Sequence, residues 1–341
     1  LTITKLAWRD LVPDTESYQE LFAQPELAKE HEFILSDTQP RLHYALEQVL
    51  SPWATAPFML LKAPEEAEYL TLLGDAVRQL KPEANAVFGG QYRIAGHDVT
   101  FEPTAQADGR FAVKGEVITA NWVEAEQLFG CLRQFNGELS LQPGLVHRAN
   151  GGVLIISLRT LLSQPLLWMR LKTIVNQQRF DWVGYDESRP LPVSVPSMPL
   201  SLTVVLTGDR ESLADFQEME PELAELAVYS EYEDNIQVAD ADDMAQWCQW
   251  VLAVAERFAL PMPAADAWPG LIREAVRYTG DQETLPLSPL WIGKQLREVG
   301  VISGKGAFTG EQLTQMLAQR EWREGYLADR MQDEILLEQI L

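Results

Sequence analysis

No apolar run in this chain approaches the roughly 20 residues that a membrane-spanning helix needs. The opening stretch, LTITKLAWRDLVPD, also lacks the basic-then-apolar layout of a secretory signal. These absences predict a cytoplasmic protein with no membrane partner. Cysteine is nearly missing: Cys131 and Cys248 are far apart in stretches with helical patterning, which predicts buried free thiols and neither a disulfide framework nor a metal site. The four histidines, His31, His43, His97 and His147, show no H-x-x-x-H or Cys–His spacing, so no zinc site is expected. Bases are scarce as well. Lys and Arg number 27 against 50 Asp and Glu, a net charge of -23, and such a surface repels polyanions, which excludes nucleic acid as an expected partner. Arg170, Lys172 and Arg179, on a helix predicted over 166–179, read as a solvated face.

What is present is a long, mixed chain. Its 341 residues, 46% of them hydrophobic, suffice for two domains with real cores. The first 40 residues are broken by Pro13, Pro25 and Pro40. A helical pattern from Arg41 to Leu50 precedes PFMLLKAP, a short buried strand, and EEAEYLTLLGDAVRQL, an amphipathic helix. Residues 86–118 read as a small antiparallel insertion, and WVEAEQLFGCLRQF as a helix. After a turn at Gly144, the glycine pair of ANGGVLIISLRTL leads into a buried strand and a helix through SQPLLWMRLKTIVNQQRF. A proline-rich passage, ESRPLPVSVPSMPL, then delivers SLTVVLTGD, a β-branched central strand. Beyond about Asn235 the strands are expected to stop, leaving four helical patterns that run to the end. An α/β half followed by a helical half is the layout of a nucleotide-fold core with a helical lid.

Three runs carry a resemblance. TANWVEAEQLFGCL, LQPGLVHRANGGVLIISLRTLLSQPLLWMRLKTIV and VPSMPLSLTVVLTGDRESLADF resemble the ATPase-type module of Lon-like proteases, and the similarity extends over essentially the whole chain. It implies an α/β, AAA+-like (P-loop NTPase-like) fold: a parallel sheet core with a β insertion, an all-helical lid and a C-terminal connector helix. The boundaries it suggests are an extension at 1–40, a degenerate AAA+-like domain at 41–235 containing the insertion at 86–118, a lid at 236–309 and a connector at 310–341. In that family a serine peptidase domain with a Ser-Lys dyad follows, and modules assemble into hexameric rings. Protein substrates, a peptidase domain of the same polypeptide and a homo-oligomer are therefore the implied partners. Leu1 in place of Met suits an alternative start codon.

The positions that would make such a module a motor are altered. A phosphate loop follows G-x-x-x-x-G-K-[ST], so that backbone N–H groups close on phosphates while Lys and a hydroxyl serve the β and γ phosphates and Mg²⁺. After FMLL this chain has Lys62, Ala63, Pro64, Glu65, Glu66 and Ala67: no glycine, one N–H removed by proline, and two acids predicted in the first turn of the next helix. Carboxylates at that helix end would occupy and repel the anion site. Lys62 reads as a surface lysine. The two acids that end a Walker B strand are replaced by Ile156 and Ser157, neither of which can supply a metal-holding carboxylate or a strong base. Gly208 and Asp209 stand at the polar sensor position. PELAELAVYSEYED contains no arginine, Arg210 lies early, and the lid offers Trp291 and Lys294 before Arg297.

Other chemistry is sparse. Ser157 lacks a G-x-S-x-G elbow, Asp242 and Asp243 read as cap residues, and His147 as a polar strand lead-in. Trp247, Trp250, Trp268, Trp291 and Trp322 are mostly expected in the core, with one or two at a subunit or domain contact. The expectation is a module with no catalytic residue, no metal and no cofactor, which recognises or gates substrates and assembles a Lon-type peptidase independently of ATP. The alternatives are a noncanonical ATP-dependent unfoldase module and a free-standing scaffold.

Overall fold

The computed structural model describes residues 13–24, 34–82, 84–184 and 190–336. The break at Pro25, His31, most of the opening stretch, part of the proline-rich passage and the last residues of the expected connector lie outside them. Gln39–Tyr232 forms one compact unit, and the described residues before Gln39 join those from Glu233 onward in a second.

The first unit is built on five parallel strands: β1 (Phe58–Lys62), β2 (Val117–Ala120), β3 (Val153–Ser157), β4 (Thr203–Gly208) and β5 (Val228–Glu231), in the order β5-β1-β4-β3-β2. Helices α1 (Ala67–Leu80), α2 (Leu158–Ser163), α3 (Pro165–Gln177) and α4 (Arg210–Met219) link and cover them. Every residue of β3 is buried, as a parallel sheet with both faces covered requires. Leu154, Ile156, Val204 and Leu206 have no exposed surface, and burial of each stabilises by about 1.5–3 kcal/mol. This is the expected α/β, AAA+-like architecture.

The glycine pair before β3 has a steric cause. Gly151 has φ +76°, and a Cβ there would lie 2.2 Å from the Phe88 ring; at Gly152 it would lie 2.1 Å from the Glu116 carbonyl oxygen. The chain passes too close to its neighbours for any side chain.

Several expectations are corrected. The insertion is a three-stranded antiparallel sheet of Phe88–Ala95, Asp98–Pro103 and Ala112–Val113, but its predicted last strand divides: Val117 and Ile118 begin β2 of the central sheet. The helix expected in WVEAEQLFGCLRQF covers only Ala125–Phe129. Gly130, at φ +69°, ends it, and Cys131–Phe135 pairs with Glu138–Gln142 as a hairpin. Cys131 is therefore on a strand, though buried and free like Cys248. Pro165 separates α2 from α3, and Gln178, at φ +50°, ends α3 before Arg179, which lies on a short strand. The three cations there are engaged: Arg170 lies over the Phe129 ring, Lys172 pairs with Glu220, and Arg179 with Asp181.

His147 also differs from its reading as a strand lead-in. It lies in the single turn Leu145–Arg148, wholly buried against Phe111, Phe180 and Trp182, with ring centroids 5.1, 4.2 and 5.2 Å away. Its Nδ1 accepts the Gly144 N–H at 3.0 Å, so the imidazole is neutral with its proton on Nε2. Nε2 is buried and has no hydrogen-bond partner among the described residues. Burial first, then the nearby Arg170 charge, drive its pKa from 6.5 down to about 3. Tyr92, from the insertion, closes the same cluster: its hydroxyl donates to the Pro196 carbonyl at 2.8 Å and accepts Trp182 Nε1–H at 2.9 Å.

In the second unit, Ala241–Arg257, Trp268–Thr279, Pro289–Ser303 and Gly310–Glu324 are helical. Strands do not stop at Asn235, because Asn235–Gln237 pairs antiparallel with Thr284–Pro286. Asp240 is the N-cap of the first of these helices, accepting the Asp242 and Asp243 N–H groups, while Asp243 accepts the Ala239 N–H at 2.9 Å. Trp247, Trp250 and Trp268 are in the core, Trp291 is partly buried and Trp322 is exposed. The continuous final helix breaks at Gly325, and Tyr326–Leu336 forms a separate helix without a buried residue.

Candidate functional site

Strand β1 stops being a strand at Lys62, but the ladder continues one residue further, since the Ala63 N–H donates to the Gly208 carbonyl at 3.1 Å. Lys62 is half-buried and is not a free surface cation. Its Nζ lies 2.8 Å from Glu231 Oε2 at the end of β5, and Tyr229 donates to the other Glu231 oxygen at 2.9 Å. These two hydrogen bonds, Lys62 first, hold the Glu231 carboxyl below its ordinary range. The lysine nearest the loop is thus committed sideways along the sheet.

Pro64 bends the chain out of the ladder, and the helix begins only at Ala67. This corrects the placement of both acids. Glu66 is the exposed residue before α1 and makes no side-chain cap. Glu65 is folded inward, 7% exposed, and reaches the tip of β3. Its Oε1 accepts the Ser157 hydroxyl at 2.6 Å and the Arg159 N–H at 3.2 Å. Oε2 lies 3.2 Å from Arg159 Nε, an ion pair whose angle makes no hydrogen bond. Because the Arg159 side chain is 67% exposed, water screens that pair, and the two bonds to Oε1 dominate.

The loop after β1 and the end of β3 are therefore joined by a buried carboxylate. Ser157 is itself buried and starts α2; a hydroxyl in that position needs an acceptor, and Glu65 supplies it. Ile156, one residue earlier, has no exposed surface and belongs to the core. On the adjacent strand tip, Gly208 packs against Leu158, which a Cβ would approach to 3.0 Å. Asp209 faces its own helix, accepting the Ser212 N–H at 2.7 Å as the cap of α4. That hydrogen bond, with the Arg159 charge in a lesser role, holds its carboxyl below the ordinary value.

The structure thus brings together Ala63, Glu65 and Ser157, with Gly208 beside them, and leaves Lys62 with Glu231 and Ile156 in the core. Sequence reasoning missed Arg159 and Glu231 as partners. Among the described residues no group of three or more His, Cys, Asp or Glu could hold a metal ion, and no helix is long and apolar enough to cross a membrane. Lys294 and Arg297 lie on Pro289–Ser303 of the second unit, and Arg210 begins α4.

Similarity to known proteins agrees with this geometry. The family described as "LonB-like, AAA domain" matches residues 114–229. The "Putative Lon protease homolog" of Escherichia coli (strain K12) is 65% identical over 341 residues, all of this chain and 58% of that protein. The protein of the same description from Haemophilus influenzae is 33% identical over 294 residues, 84% of this chain and 49% of that one. The "Archaeal Lon protease" of Pyrococcus abyssi is 28% identical over 199 residues, 56% of this chain and 20% of the relative. The chain spans about half the length of the first two relatives. Strand order and these similarities converge: the chain matches the Lon-like AAA module.

Proposed function

We propose that this segment is a substrate-recognition, gating and assembly module of a Lon-type serine peptidase, and that it works without hydrolysing ATP. One observation carries the reading: the Glu65 carboxylate lies between the loop after β1 and the tip of β3, bonded to Ser157. A triphosphate with Mg²⁺ needs that neighbourhood for backbone donors, a lysine and metal-holding acids. Here a negative charge is buried in it, Lys62 is paired with Glu231, and the residues at the metal positions are Ile156 and Ser157. An added anion would meet Glu65 at close range in a low-dielectric setting, where repulsion is strong.

Protein substrates, a peptidase domain of the same polypeptide, assembly as a ring and a cytoplasmic location complete the proposal. The similarity to Lon protease homologues supports protein substrates and oligomerisation in general terms. Calorimetric titration of the chain with ATP and Mg²⁺ tests the ATP-independent part. No heat of binding is expected up to millimolar nucleotide. Saturable binding in the micromolar range would favour a noncanonical ATP-dependent unfoldase and overturn the proposal.

A further inference from the structure

In a chain with 27 bases against 50 acids, three bases line one cleft. It lies along β2, the edge strand of the central sheet, has a volume of about 480 Å³, and is lined in part by Arg78, Lys81 and Arg148, with Glu116 the one acid among the described lining residues. It opens at the start of β2, where Val117 is level with Val153, whereas Glu65 meets the sheet at Ser157. The two places are at opposite ends of the strands.

The backbone contributes as well. The Val153 N–H donates to the Glu116 carbonyl, so Glu116 and Ile118 turn their peptide groups toward β3. Val117 and Thr119 turn theirs outward, to the cleft. Arg78 already uses one of these groups, donating to the Val117 carbonyl at 3.2 Å while holding Asp75 at 2.7 Å. Two named bonds leave further guanidinium N–H donors of Arg78. Arg148 is held by Glu116 at 3.3 Å, both side chains being partly exposed, a pairing worth little. Lys81 is half-buried at the end of α1, and burial alone lowers the pKa of its ammonium. A cation kept partly out of water, with no counter-charge paired to it among the described residues, gains from an anion.

We propose that this cleft binds a small anionic molecule carrying phosphate or carboxylate groups, with Arg78, Lys81 and Arg148 as its cationic walls and the outward N–H groups of β2 as further donors. The site is independent of the function proposed above. Its volume admits a ligand larger than a single phosphate. The competing role for Arg78 and Lys81 is to offset the negative end of α1.

Thermal unfolding of the intact chain distinguishes them, with inorganic phosphate and citrate as separate probes against chloride at matched ionic strength. At least one probe is expected to raise the midpoint saturably, and the stronger one identifies the preferred group. Lys81→Met with Arg148→Gln should weaken that probe's apparent affinity at least tenfold, while Lys305→Met, outside the cleft, should leave it unchanged. Should the double variant not fold, Arg148→Gln alone is read, since Arg148 does not serve the end of α1. No rise beyond chloride with either probe, or an equal rise in the variants, overturns the proposal. So does a loss of stability in Lys81→Met with no change in probe affinity, the outcome expected of helix-end compensation alone.

Discussion

Acidification tests the buried imidazole. In the folded chain His147 stays neutral down to a pKa of about 3, whereas in the unfolded chain it protonates below the ordinary 6.5. The unfolded state therefore binds the extra proton between those values, and the stability that neutral burial provides is intact above pH 6.5 and is lost as pH falls toward 3. From pH 7 to pH 5 the loss is about 2 kcal/mol, and it grows to roughly 4 kcal/mol near pH 3. Asp209, Glu220 and Glu231, all with lowered pKa values, add losses of the same sign at lower pH, so a control is needed. His147→Asn provides it, because an amide oxygen can still accept the Gly144 N–H while nothing titrates. Urea unfolding of both proteins at pH 7, 6 and 5 should show the parent losing about 2 kcal/mol more than the variant, roughly 1 M in midpoint for a slope near 2 kcal/mol/M. Parallel curves for parent and variant would refute the buried neutral state.

Three further outcomes are expected. Ser157→Ala should destabilise by about 1–3 kcal/mol in urea unfolding, because Glu65 loses its shortest hydrogen bond, while Glu65→Gln should be milder since an amide still accepts from the serine. Gly152→Ala should lower stability by at least about 2 kcal/mol or leave the protein insoluble, given the Glu116 carbonyl 2.1 Å from the new methyl. Met331→Ser, on the exposed helix Tyr326–Leu336, should change stability by less than about 0.5 kcal/mol, and a larger loss would reveal packing that the described residues do not contain.

The strands at the middle of the sheet were legible because buried parallel strands announce themselves as short continuous apolar runs; FMLL, VLIIS and TVVLTG fall within β1, β3 and β4. Strand β5 was not, as Val228–Glu231 at the sheet edge has exposed residues at Tyr229 and Glu231 and a polar one, Ser230, at its buried position. The helix expected through Cys131 failed for a different reason: its periodicity is helical, and only the positive φ at Gly130, set by packing against Gly144, decides otherwise. Pro165 was a visible warning that α2 and α3 would separate. At the candidate site the absence of glycine and of paired acids could be read directly. The inward turn of Glu65 could not, since local rules favour an acid in the first helical turn and the pull of Ser157 is a contact between residues 92 positions apart.

The antiparallel arm of Phe88–Ala95 and Asp98–Pro103 is clamped at Tyr92, which bonds one way to Trp182 and the other to the Pro196 backbone. Its turn at Gly96 stands about 13 Å beyond that clamp. Those two bonds couple the arm to the passage that leads into β4, so a spin label or fluorophore carried on His97 would report movement of that passage relative to the arm.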